Sequence, residues 1–284
     1  RIGDAAQSAR VAATLQQTQA RIRDTQTAIA SGKTIDRYSD IPDTAGLLIR
    51  AKSDLAATSD FIGRNERLLD RMNTADGAVS AIGDIAERMR SLLVNRLDAA
   101  TGSAVPLDSE IDSALEQIAA QLNLKVDGRY VFGGSRTDAA PVAMPSPPPA
   151  SNDPGLYYQG DAVAVTARVA PDVELSYGVT AADHGFAMLI SALGQARAAH
   201  TAQDQAGLES ALTDLSAAID GIADLRGAMG ASSARLEAIT ESQRGTELYL
   251  DETIGRIEAT DMPTALARLA EDQASLEAAY ITVS

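Results

Sequence analysis

The sequence has no cysteine and no tryptophan, two histidines, and only seven tyrosines and three phenylalanines among 284 residues. Without cysteine there is no disulfide framework, no thiol nucleophile and no thiolate-bound zinc or iron–sulfur cluster. His184 and His200 do not form the His-x-x-x-His pair of a zinc hydrolase, and no nucleophile–base spacing surrounds them. The spacing therefore points to no catalytic, metal or cofactor site. Basic residues are also scarce: Lys and Arg number 24 against 39 Asp and Glu, a formal net charge of −15. Such a chain lacks the electrostatic footprint for nucleic-acid phosphate or an anionic membrane surface. No uninterrupted apolar run approaches the ~18 residues of a membrane-spanning helix. Residues 1–30 hold no apolar stretch of a cleaved signal peptide, so the chain is expected to be cytosolic or exported by a route that needs no cleaved signal. With few rings, the core must be built from Leu, Ile, Val and Ala, which suits close helix–helix packing.

What the chain does have is helical periodicity. Val11, Leu15, Thr18, Ile22, Thr25 and Ile29 alternate steps of four and three, one narrow stripe along a first helix that Ser31-Gly32 ends. A loop is expected from Thr34 to Ile41. Pro42 and Asp43 then open a second helix of about fifty residues, carrying Leu48, Leu55, Ile62, Leu69, Met72, Val79, Ala86 and Leu93. After a loop at Ala100–Ser103, a third helix is expected from about Asp108. The pattern then breaks. Glycines flank Arg129, Tyr130 and Phe132, a proline cluster at 141–149 reads as a linker, and Val163–Val169 and Val173–Tyr177 alternate as a hairpin turning at Ala170-Pro171-Asp172. Helical spacing returns from Phe186 to His200, where His200 is expected to cap the helix end. It resumes in a long helix through Leu208, Leu215, Ile222 and Met229. The last helix has Asp261 as its expected N-cap and a stripe of Met262, Leu266, Leu269, Gln273, Leu276 and Tyr280.

The predicted fold is mainly α: a long antiparallel bundle or coiled coil formed by both ends of the chain, with a small β-rich domain inserted in the middle. The expected divisions are 1–42 with 258–284 as terminal assembly helices, 43–135 with 185–257 as a helical bundle, and 136–184 as an outer β-rich domain. The terminal stripes, with Leu15, Ile22, Ile29, Leu266, Leu269 and Leu276 at their centres, read either as seams within one bundle or as contacts between subunits. Subunit contacts are the expectation, because an isolated helical hairpin leaves much Leu and Ile exposed.

This layout and several strings resemble the flagellin superfamily, within it the hook–filament junction family. Ala30-Ser31-Gly32-Lys33 and Ser39-Asp40-Ile41-Pro42-Asp43 are similar to the superfamily's Ser-Ser-Gly-Lys and Ser-Asp-Asp-Pro strings. Asp127-Gly128-Arg129-Tyr130-Val131-Phe132-Gly133-Gly134 through Thr137, and Tyr157-Tyr158-Gln159-Gly160-Asp161, resemble strings of the junction family that filament flagellins lack. Arg256–Asp261 and Gln273–Ala278 resemble the last helices, which in the family continue into a short apolar tail expected beyond Ser284. Glu87–Leu92 is similar to the flagellin surface read by innate receptors, except that Ser91 replaces a glutamate; a solvated helix face is the plainer reading.

The resemblance implies a secreted, extracellular structural subunit that joins hook to filament by helical self-assembly. Its partners would be copies of itself, a neighbouring hook-associated protein, flagellin and an export chaperone. A short filament flagellin is the alternative. An alternative of another class is a surface glycan-binding module using Tyr157, Tyr158 and Tyr177, and Arg129 with Tyr130 could also contact a ligand. The plainer reading of that last pair is a strand and tight turn whose rings fill a seam.

Overall fold

The computed structural model describes residues 2–33, 44–98 and 106–283. The Ser39–Asp43 string and the loops expected at 34–41 and 100–103 lie outside them. The helices are α1 (Ile2–Ser31), α2 (Ala45–Leu97), α3 (Leu107–Leu122), α4 (His184–Thr201), α5 (Gln205–Glu258) and α6 (Met262–Val283). Between α3 and α4 lie two antiparallel strand pairs, β1 (Lys125–Val126) with β2 (Arg129–Tyr130) and β3 (Thr166–Ala170) with β4 (Val173–Ser176). The fold is mainly helical with small strand pairs in the middle, as the alternation of periodicities predicts. The chain divides into two compact units, one of Arg1–Asp60 with Arg244–Ser284 and the other of Phe61–Gln243.

In the first unit α1 pairs with α6, and the start of α2 packs on the end of α5 through Leu48, Ala51 and Ile254, with Leu55, Leu250 and Ile257 around them. The second unit holds the main core. Val79, Ile82, Ala86 and Leu93 of α2 meet Ile111, Leu115 and Ile118 of α3, Leu189, Ile190 and Leu193 of α4, and Leu208, Leu215 and Ile222 of α5. Ala78, Ala192, Ala196, Ala211 and Ala218 share this core, so small side chains let the helices approach closely. Arg197–Asp112 ties α4 to α3, and Arg226 Nε lies 3.1 Å from Asp76 Oδ1 between α5 and α2.

The β3–β4 hairpin is held on the helices by its own small core of Leu68, Met72, Val169, Leu175 and Leu236. A polar triangle fixes its position: the Val169 carbonyl accepts from Asn65 Nδ2 at 3.0 Å and Gln243 Nε2 at 2.8 Å, and Asn65 Nδ2 also donates to Gln243 Oε1. Asn65 is buried. Asn65→Ala removes a buried donor to the Val169 carbonyl and leaves half-buried Gln243 with one partner fewer, and is expected to cost about 1–3 kcal/mol, read by urea denaturation.

The proline run is not a linker. Pro148 and Pro149 are buried, and the Pro149 carbonyl sits where a β-carbon on Gly194 of α4 would be, 2.1 Å away. The run is extended because proline cannot join a helix, yet it is packed against one. His200 lies in the last turn of α4, as expected, and its Nδ1 accepts from Arg96 Nε at 3.2 Å. His184 is the first residue of α4, whose N-cap is Asp183 accepting from Gly185 N.

Candidate functional site

Three arrangements involve the residues singled out by sequence. The first is the α1–α6 pair. These helices run antiparallel: Gln19 Nε2 donates to Tyr280 Oη at 2.9 Å, Arg21 Nη2 to Asp272 Oδ1 at 2.8 Å, and Thr260 Oγ1 to the Ala28 carbonyl at 3.4 Å. On α1, Thr18 and Ile22 are buried and Leu15, Thr25 and Ile29 half-buried, the stripe the spacing predicts. On α6 the covered positions are Ala265, Leu269, Asp272, Leu276 and Ala279, again at steps of four and three. Leu269 and Leu276 therefore lie in the seam. Leu266 does not: it is 52% exposed, with Met262 at 40% and Tyr280 at 52% on either side of it along α6. Helix α6 thus carries a second apolar stripe, of Met262, Leu266 and Tyr280, that α1 touches only at the Tyr280 hydroxyl.

The second arrangement is a latch where α1 ends and α5 passes to α6. Gly32 has φ +71, a left-handed conformation that releases the chain from the helix. Its carbonyl accepts from Thr260 N at 2.9 Å, and Lys33 forms an antiparallel bridge with Ala259. Lys33 Nζ lies 2.8 Å from Glu258 Oε2, and Lys52 from the start of α2 pairs with Oε1 of the same carboxylate. Hydrogen bonds from Lys33 and then Lys52 hold the Glu258 carboxyl below its usual range. Asp261 caps α6, accepting from Thr264 Oγ1 and, more loosely, from Thr264 N, and these bonds lower its pKa too. The Gly32-Lys33 string so has a physical role: the glycine turns the chain and the lysine meets Glu258.

A lowered carboxylate pKa stabilises the fold above the ordinary glutamate value and ceases to do so as pH falls through the folded value. Protection of the Thr260 amide from hydrogen exchange should therefore be full above pH 4.5 and fall as the solution is acidified below it. In Glu258→Gln the protection should be weaker and nearly independent of pH over the same interval.

The third arrangement joins the two strings quoted for the junction family. Asp127-Gly128 makes the two-residue turn between β1 and β2, with Val126 opposite Arg129 and Lys125 opposite Tyr130. Phe132 follows and is fully buried, edge-on to Phe186 of α4 at 6.2 Å and 82°. Gly134, at φ +68, would place a β-carbon 2.4 Å from the Asp161 carbonyl oxygen, so only glycine fits. Asp161 accepts from Ser135 N at 2.9 Å, Ser135 Oγ at 2.5 Å and Val163 N at 3.1 Å, and the Ser135 bonds hold its carboxyl below the usual range. Arg136 Nη1 donates to the Gln159 carbonyl at 2.8 Å and Tyr158 Oη to the Asp161 carbonyl at 2.7 Å. Residues 127–137 and 157–161 are thus one interlocked module.

That module corrects two expectations. Tyr157 is 1% exposed and its hydroxyl donates to the Ala181 carbonyl at 2.9 Å; burial first, and Asp183 next, push its pKa well up. Tyr158 is half-buried and engaged within the module, so of the three tyrosines proposed to bind a glycan only Tyr177 lines a cavity. Of the rings in the Arg129–Phe132 string, Phe132 fills the core and Tyr130 does not; Tyr130 lies beneath Lys125 Nζ, 4.5 Å from its ring centroid. Among the described residues there is no cluster of three or more His, Cys, Asp or Glu able to hold a metal ion. None of their helices is long and apolar enough to cross a membrane.

Residues 3–137 match the family described as bacterial flagellin N-terminal helical region. That match spans just under half of the chain and lies in its N-terminal part. Solved structures extend the likeness to about three quarters of the chain. FlgL of Bacillus cereus superposes with a TM-score of 0.59 at 19% identity, covering 74% of this chain and 99% of that one. Flagellar hook associated protein-3 of Legionella pneumophila gives 0.60 at 11% identity, covering 73% and 98%. FlgL of Xanthomonas campestris gives 0.56 at 13%, covering 73% and 99%. No curated protein matches the sequence significantly. At these identities the solved structures establish a shared fold over about three quarters of this chain.

Proposed function

We propose that this flagellin-like chain is a structural subunit of the bacterial flagellum, an adaptor joining hook to filament by helical self-assembly, and not an enzyme. The observation that carries the reading is the interlock of residues 127–137 with 157–161, the two strings that resemble the junction family, on a fold shared with FlgL and hook associated protein-3 structures. In the assembly, the terminal helices around Leu15, Ile22, Ile29, Leu266, Leu269 and Leu276 would form an inner coiled-coil layer. The helices of 43–135 and 185–257 would pack laterally, and 136–184 would be the outer part. A second apolar stripe on α6 supports this, because it is the kind of surface another helix covers.

The partners would be further copies of the chain, a neighbouring hook-associated protein, flagellin, and an export chaperone, with the subunit secreted to the extracellular flagellum without a cleaved signal. Deleting the gene should leave bare hooks and release flagellin monomers into the medium, and the intact gene should restore filaments. Normal filaments in the deletion strain would overturn the adaptor reading, and loss of flagellin altogether would favour the short-flagellin alternative.

A further inference from the structure

The Phe61–Gln243 unit contains a cavity of about 390 Å³ that the adaptor role does not use. It opens between α2, the β2 strand with the turn after it, and the segments flanking the β3–β4 hairpin. The volume falls in the roughly 300–1,000 Å³ range of small-molecule sites. Its apolar lining includes Met72, Val131, Phe132 and Met229, with Tyr130 and Tyr177 as aromatic walls. The polar character is one-sided. Arg71 and Arg129 line it and no Asp or Glu does, although acids outnumber bases 39 to 24 in the chain.

Neither arginine is well neutralised. Arg71 Nη2 stands 3.6 Å from Asp127 Oδ2, and that carboxylate is 77% exposed, so solvent screens the pair. Arg71 Nε is buried without a hydrogen-bond acceptor. Arg129 makes no ion pair among the described residues, and Lys125 adds a third cation at the Tyr130 ring. A buried guanidinium Nε lacking an acceptor is an unmet hydrogen-bonding demand, and an oxyanion offering two oxygens meets it in fork geometry. Thioether and aliphatic walls between tyrosines suit a flat apolar body.

We propose that this cavity is a binding site for a small organic anion, a carboxylate or sulfonate carried on an apolar ring body, with Arg71 and Arg129 holding the anion. The probe is 8-anilinonaphthalene-1-sulfonate, titrated by fluorescence into the full chain beside its neutral analogue N-phenyl-1-naphthylamine. Saturable one-to-one binding of the sulfonate is expected, at least about tenfold tighter than the neutral compound, as one charge-assisted bond implies. Arg71→Gln and Arg129→Gln should each weaken the sulfonate by about tenfold. Ala164, exposed on the cavity wall, offers a way to fill the space without touching the core. Ala164→Trp should abolish binding while its melting curve overlays that of the parent. Absence of saturation, equal affinity for the neutral compound, or sulfonate binding that survives Ala164→Trp would each overturn the proposal. The last outcome would place the probe on the exposed α6 stripe instead.

Discussion

Phe132→Ala should destabilise the protein more than truncation of any other side chain in the 127–137 string. Phe132 has no exposed surface and meets Phe186 edge-on within the principal core. Truncating a buried phenylalanine costs about 3–5 kcal/mol, through lost transfer energy and a cavity that packed helices cannot close. At roughly 2–4 °C per kcal/mol for a unit of this size, the melting temperature should fall by about 6–20 °C. Tyr130→Ala is the internal comparison. Tyr130 is half-buried and its identified partner is the Lys125 ammonium, a contact of about 0.5–1 kcal/mol at an exposed site. Circular dichroism melts of the two variants should differ clearly. A Phe132→Ala loss as small as that of Tyr130→Ala would mean the module does not anchor to the helices through this ring.

The contrast between these neighbours also shows where sequence reading reaches its limit. Helix α2 is legible through Leu93 and α5 through Met229, because large aliphatic residues recur among their buried positions at helical spacing. The Gly-rich string was legible as a hairpin and turn, but not which ring enters the core, since that depends on Phe186 arriving from 54 residues further along the chain. The burial of Pro148 and Pro149 depends likewise on a distant partner, Gly194. The Asp161 cap on Ser135 crosses 26 residues of sequence and has no periodic signal at all. In α6 a stripe drawn through the bulkiest residues includes Leu266 and Tyr280, which are exposed, whereas the seam with α1 runs through Ala265, Asp272 and Ala279 as well as Leu269 and Leu276. In an alanine-rich chain, small residues mark where helices come close, and Arg21 allows an aspartate to sit among them.

The two stripes of α6 give the sharpest separation between folding of one chain and assembly of many. Leu266→Asp places a charge on a side chain already 52% exposed, so the isolated protein should melt within about 0.5 kcal/mol of the parent. Leu269→Asp places it in the α1–α6 seam, where an unpaired carboxylate among apolar side chains should unpair the two helices and remove their share of the helical signal. For assembly both are expected to fail. Covering a leucine contributes about 1.5–3 kcal/mol, and a lattice repeats the contact in every subunit, so its loss multiplies around the ring. In cells whose own copy is deleted, Leu266→Asp should thus give secreted, folded subunit and bare hooks. If Leu266→Asp instead supports normal filaments while Leu269→Asp does not, the stripe of Met262, Leu266 and Tyr280 is no assembly surface, and subunits must be joined through another face. If Leu266→Asp unpairs α1 and α6 as Leu269→Asp does, the exposed stripe is covered within the monomer in solution, and the stripes are seams of one bundle.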